Sequence, residues 1–292
     1  MHFGFDFFAL VLRKSGFAGL LLGACMAVSA ALPATADDAA TSGMGDASQE
    51  ASFFDPFDRV DSDFWYISDG WTNGNHQNCT WSQSMISAAA GVLSLRLEKD
   101  HGSQKLLCGE IQSRQAYGYG TYEARVKSAT GSGLNSAFFS FIGPADHQEH
   151  DEIDFEILGK DLATVQINQY VKAKGGNEKL VALPSPADQG FNDLAFIWEP
   201  SRLRFFLNGK LVQDVTDPTL IPTARQKVFF SLWGTDTLSS WMGPFSYSGP
   251  ASMQVDWVGF TAASQHCLFA ASLTCDPTIS ISLRDQAKES QR

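Results

Sequence analysis

The chain has 292 residues, with 21 Lys and Arg against 32 Asp and Glu, a formal net charge of −11 at pH 7. So acidic a surface argues against nucleic acid or anionic membranes as natural partners and suits an exported soluble protein or a neutral ligand. The length accommodates one large domain or two small ones.

Residues 1–36 hold Arg13 and Lys14, then an apolar run from Gly16 to Pro33 that ends in Ala34-Thr35-Ala36. This small-x-small ending predicts a signal peptide cleaved near Ala36 and export to the periplasm or the medium. A retained membrane anchor is the competing reading, because the run approaches the length of a membrane span. A lipoprotein reading through Leu22-Gly23-Ala24-Cys25 is weaker, since the apolar run continues past the cysteine. The cleavage pattern and the polar residues after it favour removal, with no stable membrane association. Cleavage takes Arg13, Lys14 and Asp6 and leaves 19 basic and 31 acidic residues.

Residues 37–51 are small and polar and read as a disordered linker; residues 276–292 read as a polar tail. Between them, 52–275 read as one domain of short alternating runs. Thr121–Lys127 sets Tyr122, Ala124 and Val126 against Glu123, Arg125 and Lys127, a period of two. Further strands are predicted over Ser136–Ile142, Thr164–Tyr170, Leu194–Trp198, Lys227–Trp233 and Met253–Thr261. Leu203–Leu207 and Lys210–Val215 flank Asn208-Gly209, the dipeptide of a two-residue type I′ hairpin turn. Many short strands with turn signals between them predict an all-β sandwich of jelly-roll type. Four cysteines remain after cleavage, Cys79, Cys108, Cys267 and Cys275. An even number in an exported chain suggests two disulfides; three pairings are open, and spacing favours Cys79–Cys108 and Cys267–Cys275.

The most informative stretch is His150-Asp151-Glu152-Ile153-Asp154-Phe155-Glu156-Ile157. As a strand it points Glu152, Asp154 and Glu156 to one face, with His150 beside them, and Ile153, Phe155 and Ile157 to the other. Like charges on one face repel and acids are poor strand formers, so the pattern costs stability, as functional sites often do. Hydrolysis of a glycosidic bond needs one ionised carboxylate and one protonated carboxyl, and crowding is one way to raise a carboxyl pKa. A flat strand holds the Glu152 and Glu156 backbones roughly 13 Å apart, so side chains leaning together must close the gap to the spacing of about 5–5.5 Å that retaining enzymes use. The alternatives are a solvated strand face or a calcium site, although calcium usually draws on Asp/Asn/Gly-rich loops.

At this motif the chain resembles glycoside hydrolase family 16, especially bacterial licheninases. The resemblance runs from about Phe53 to Phe260 and includes SFFDPFD at 52–58, SDGW at 68–71, NCTW at 78–81, CGE at 108–110, YGYGTYEARVK at 117–127 and DEIDFEILGKD at 151–161. It is nearest a rhizobial branch that trims succinoglycan, a bacterial exopolysaccharide, through QINQYVKAKGGNEKLV at 166–181. The resemblance implies a concanavalin A-like jelly roll with a cleft on its concave sheet, and a retaining endo-β-glycanase needing no cofactor for its chemistry. It implies Glu152 as nucleophile, Glu156 as general acid/base and Asp154 as the residue that tunes them. It also implies a Cys79–Cys108 disulfide and substrate contacts from Asn73, Glu110, Phe139, Asn168, Tyr170, Trp233 and Trp241. The polar face shared by Gln166, Asn168 and Tyr170 suits sugar hydroxyls and C–H faces; core packing competes for both tryptophans, and an exposed charge beside a disulfide competes for Glu110. Asp256 matches a structural calcium ligand of many relatives, although between Val255 and Trp257 it equally suits a hydrogen-bonded strand residue.

The departures lie near the expected cleft. His150 stands where licheninases carry a tryptophan, Gln112 replaces a basic residue and Ser231 replaces an amide. These imply altered sugar recognition, hence a modified or branched polysaccharide rather than plain cereal or lichen glucan, and a pH-responsive group at His150. A monomer acting on polysaccharide is the expected state. A lectin-like jelly roll is the rival from another class; the intact E-I-D-F-E strand speaks against it. A transglycosylase differs only in its acceptor.

Overall fold

The computed structural model describes residues 51–279, so the signal-type segment 1–36, nearly all of the linker and residues 280–292 lie outside the described residues. In chain order the strands are β1 (Phe53–Asp55), β2 (Trp65–Ile67), β3 (Thr80–Trp81), β4 (Ile86–Ala89), β5 (Val92–Lys99), β6 (Leu106–Ser113), β7 (Gly120–Lys127) and β8 (Leu134–Ile142). They continue with β9 (Asp151–Leu158), β10 (Thr164–Tyr170), β11 (Lys179–Ala182), β12 (Asn192–Glu199), β13 (Arg202–Leu207), β14 (Lys210–Val215), β15 (Lys227–Gly234) and β16 (Ala251–Ala262). The short helix α1 (Ser239–Met242) follows β15. Each strand expected from alternation forms. The hairpin between β13 and β14 turns at Asn208 and Gly209, with φ of 48° and 76°, the positive values that a type I′ turn requires.

The strands make the two sheets of a jelly-roll sandwich. The first runs β11-β10-β9-β8-β15-β6, with β2 along β6. The second runs β5-β16-β7-β12-β13-β14, with β1 on β16 and β4 on β5. β6 belongs to both: Leu106–Cys108 pair with β5, and Gly109–Gln112 pair with β15. The Cys79–Cys108 disulfide forms at this crossing strand, where β3 also pairs with β6.

Alternation decides what lies between the sheets. Ile153, Phe155 and Ile157 of β9 are buried with Phe138 of β8 and Phe230 of β15, and Tyr122, Phe196 and Phe205 meet them from the second sheet. Phe138 stacks on Phe155 at 6.1 Å and on Phe230 at 5.2 Å. Such ring pairs contribute roughly 0.5–1.5 kcal/mol each beyond the area they bury.

Glu123 alternates to the face of β7 opposite Tyr122 and Ala124, and the structure buries it there. The chain after β16 folds back over the second sheet, where Ser272 Oγ donates to Glu123 Oε2 at 2.6 Å and the Leu273 amide to Oε1 at 2.7 Å. Leu273 and Ile279 pack on Ala195, Ile197 and Phe206, so the packed domain continues past Cys275 into the stretch read as a polar tail. The Cys267–Cys275 disulfide closes this loop. Burial pushes the Glu123 carboxyl up to about 7, against the donors that lower it. A carboxyl raised on folding stabilises fully below its unfolded value, near 4.5, and that contribution is lost as pH rises through 7. Glu123→Gln removes this dependence. Its Tm relative to the parent is expected to rise by several degrees between pH 4.5 and 7.5, a linkage of about 2–3 kcal/mol. A pH-independent Tm difference would show that the carboxyl does not titrate there.

Candidate active site

The registers of the first sheet lay its outer-face residues in rows across the strands. One row runs Gln112–Phe229–Phe139–Asp154–Asn168 on β6, β15, β8, β9 and β10. The next runs Glu110–Ser231–Ala137–Glu156–Gln166, and a third runs Lys227–Phe141–Glu152–Tyr170. The three acids of β9 therefore occupy adjacent rows of one face, opposite its core residues. Every sheet residue singled out for sugar contact lies on that face, as do two of the three departures, Gln112 and Ser231. The third, His150, immediately precedes β9.

β9 is fixed at its start by Asp151, which is buried. Its Oδ1 accepts from the Lys172 amide at 2.9 Å, and its Oδ2 from the Thr223 and Ala224 amides at 2.9 and 3.0 Å. The His150 carbonyl accepts from the Ala173 amide. The loop after β10 is thus strapped to the head of β9, and its backbone at Gly175 lies on the Tyr170 ring. A Cβ at Gly175 would stand 2.4 Å from Tyr170 Cε1, so only glycine fits there.

Each acid has a different environment. His150 Nε2 lies 2.6 Å from Glu152 Oε2, and the His150 ring stacks on Tyr170 at 5.0 Å. Asp154 is fully buried; burial first, then the Glu152 and Glu156 charges, hold its carboxyl well above the usual range, so it keeps a proton and hydrogen-bonds to Glu152. Glu156 is raised to about 7, chiefly by burial and then by the Glu152 charge, while the Asn135 and Gln166 amides pull it back. Asn135 Nδ2 donates to Glu156 Oε1 at 2.8 Å, and Gln166 Nε2 to Oε2 at 3.0 Å. Glu178, in the loop after β10, adds a further negative charge that raises Asp154, Glu156 and Tyr170.

The remaining sequence candidates surround these acids. Trp241 Nε1 donates to Gln166 Oε1 at 3.1 Å, which links α1 to Glu156 through one amide. Trp233 is half-buried, with Trp241 and His76 beside it at 6.3 and 5.6 Å. Neither tryptophan is a wholly buried core residue. Phe139 stacks on Phe229 at 4.8 Å. Glu110 is not the exposed charge of the alternative reading: it is buried, accepts from Ser68 Oγ at 2.6 Å and is raised to about 7 by burial. Asn168 is buried opposite Asp154, and its Oδ1 has no hydrogen-bond partner in the structure. Asn73 lies in the loop before β3, where its amide donates to Gln77 Oε1; that loop reaches the sheet because the Asn78 amide donates to the Gly234 carbonyl. Residues missing from the sequence reading are Ser68, Asn135, Phe141, Glu178 and Phe229, with Gln166 noted only as part of a polar face. Asn135, Phe141 and Phe229 alternate on predicted strands or next to them, and a register would have revealed them.

Asp256 sits at the β16 irregularity between Val255 and Trp257, with its Oδ2 3.9 Å from Arg125 Nη1. Calcium takes six to eight oxygens. Here there is one carboxylate already facing a guanidinium, and among the described residues no group of three acidic, His or Cys side chains is arranged to hold a metal. The fit is poor, and nothing in the chemistry is routed through a metal.

Residues 73–259 match the profile of glycosyl hydrolases family 16. The chain is 60% identical over 225 residues to endo-1,3-1,4-beta-glycanase ExoK of Rhizobium meliloti (strain 1021), covering 77% of this chain and 84% of that one. It is 39% identical over 211 residues to a beta-glucanase of Bacillus subtilis (strain 168), covering 72% and 86%. The solved Bacillus licheniformis beta-glucanase superposes with a TM-score of 0.70 at 36% identity, covering 73% of this chain and 98% of that one. Profile, relatives and superposition all span the sandwich that carries the acidic strand, and the chain belongs to glycoside hydrolase family 16.

Proposed function

We propose that the protein is an endo-β-1,3-1,4-glycanase that cuts a glucan-type bacterial exopolysaccharide by a retaining double displacement. The observation that carries the proposal is the division of labour on β9. Glu152 lies between Asp154 and His150, while burial and the neighbouring charge raise Glu156, two places along the same face, to about 7, so that it can carry a proton into the reaction. In the first step Glu152 attacks the anomeric carbon as Glu156 donates its proton to the departing glycosidic oxygen. In the second step Glu156, now ionised, takes a proton from water as that water displaces Glu152 from the sugar. Asp154 acts through Glu152, since its hydrogen bond orients the carboxylate and disperses its charge. Asn135 and Gln166 orient Glu156, and Trp241 fixes Gln166.

The likeness to a rhizobial endo-1,3-1,4-beta-glycanase and to bacterial beta-glucanases supports the linkage class. Asn73, Glu110, Phe139, Asn168, Tyr170, Trp233 and Trp241 are proposed to hold the sugar units, with Gln112, His150 and Ser231 setting the preference for a modified chain such as succinoglycan. Export rests on the signal-type segment 1–36; among the described residues no helix is long and apolar enough to cross a membrane. A monomer suffices for this reading, since one chain supplies both Glu152 and Glu156.

Viscosity and reducing-end release, followed together on succinoglycan and on barley β-glucan, test the proposal. An endo-enzyme drops viscosity early, before many ends appear, and preference for succinoglycan is expected. Binding to both polymers without end release would replace the proposal with a lectin-like role.

A further inference from the structure

The cleft face of the first sheet continues past the rows already described. On β2, Tyr66 pairs with Gln112 of β6, and its neighbours Trp65 and Ile67 point into the core. Tyr66 therefore extends the Gln112–Phe229–Phe139–Asp154 row by one strand, and it is 39% exposed. Arg114 lies two residues beyond Gln112 on the same side of the chain; its amide donates to the Phe64 carbonyl. The Arg114 guanidinium stands over the Tyr66 ring, 5.7 Å from its centroid, and its Nε donates to the Ser62 carbonyl at 2.8 Å.

Most of the other described arginines face acids, whereas Arg114 faces a carbonyl and a ring; Arg225 also reaches a carbonyl, that of Ala116. Arg59, Arg96, Arg125, Arg202 and Arg204 each pair with a carboxylate. Among the described residues none pairs with Arg114, in a chain whose net charge is −11. One carbonyl and one ring fix its plane and leave the terminal nitrogens of an exposed fork undirected. A guanidinium presents paired donors that match a carboxylate, and an aromatic ring offers a surface to the C–H face of a sugar. The acids of β9 repel an anionic chain, so acceptance of one requires a cation set away from them along the cleft.

We propose that Tyr66 and Arg114 form a distal subsite that binds a carboxylate-bearing sugar unit of the polysaccharide, the ring stacking on Tyr66 and the carboxylate pairing with Arg114. The proposal rests on the endo-glycanase reading and names the kind of unit which that cleft accepts at its end. The subsite lies several strands from Glu152 and Glu156, so it contributes binding rather than chemistry, and its loss raises KM more than it lowers kcat.

The test compares barley β-glucan with the same polymer lightly carboxymethylated, using the parent protein, Arg114→Gln, Arg114→Lys and Tyr66→Ala, each checked for an unchanged Tm. Substituents that block cleavage do so equally for all variants and cancel in the ratio of the two polymers. Arg114→Gln is expected to lower kcat/KM on the carboxymethylated polymer about threefold more than on the unmodified one, the scale of an exposed ion pair. The difference should sit in KM, shrink in 0.5 M salt and be partly restored by Arg114→Lys. Tyr66→Ala is expected to raise KM on both polymers. Equal effects of Arg114→Gln on the two polymers, or no effect, would overturn the subsite. Failure of the parent protein to cut succinoglycan as well as both of these polymers would instead overturn the endo-glycanase reading on which it stands.

Discussion

Replacing Glu152 by glutamine is expected to lower kcat/KM on β-glucan by about 10⁴-fold or more, the scale of losing a covalent nucleophile, with polysaccharide binding retained. The amide keeps the shape of the side chain and faces the same two neighbours, His150 Nε2 and Asp154. It removes the anion that forms the bond to the anomeric carbon. Glu152→Ala supplies a sharper reading, because it leaves room for a small external nucleophile. With azide added, the alanine variant is expected to recover turnover and to yield a glycosyl azide of inverted configuration, since azide then occupies the place of the carboxylate. A Glu152→Gln variant with ordinary activity would remove Glu152 from the chemistry.

Loss of Glu156 is expected to depend on the leaving group. Glu156→Gln should cost about 10²–10⁴-fold on natural polysaccharide, the range of general acid catalysis. An aryl glycoside whose leaving group departs without a proton is expected to lose far less in the first step. The parent protein should show the same carboxyl in its pH profile. Glu156 must be protonated in the first step, and its value near 7 places the alkaline fall of kcat/KM close to neutrality. The sign follows from the causes: burial and the Glu152 charge raise the carboxyl, so neutralising Glu152 shifts it down. The three acids interact strongly, and the profile reports them as a set. A Glu156→Gln variant that loses as much on the activated substrate as on polysaccharide would contradict the assignment.

Much of this arrangement is written into local sequence. A two-residue period over Asp151–Leu158 is enough to place Glu152, Asp154 and Glu156 together, because the side chains of a strand alternate wherever the strand lies in the sheet. Asn208-Gly209 fixes a hairpin by its own backbone preference, and the short loop from Cys267 to Cys275 keeps that pair close in any fold. β2 and β3 were not legible, since segments of two or three residues are too short to show a period. The double membership of β6 was hidden for a different reason: one continuous strand changes partners midway, and nothing in its sequence marks the place. Glu110 and Glu123 show the same limit. Glu110 stands out only through the family resemblance and Glu123 reads as an ordinary strand-face acid, and each is buried by residues distant in sequence, Ser68 in one case and Ser272 with Leu273 in the other. Local pattern states which way a side chain points, whereas its cover depends on registers and on chain folding back from far away. The same reasoning explains why Asn135 and Gln166 were not assigned to Glu156, although both lie on strands whose faces were anticipated.

In the proposed mechanism Glu152 attacks the sugar and carries it covalently. Mass spectrometry of the protein after incubation with a 2-deoxy-2-fluoro-β-glucan oligosaccharyl fluoride tests this most directly, because the fluorine slows release of the intermediate. A single glycosyl adduct is expected on the peptide that contains Glu152, absent from Glu152→Gln. An adduct on another residue, or no adduct together with a first-formed product of inverted anomeric configuration, would contradict it.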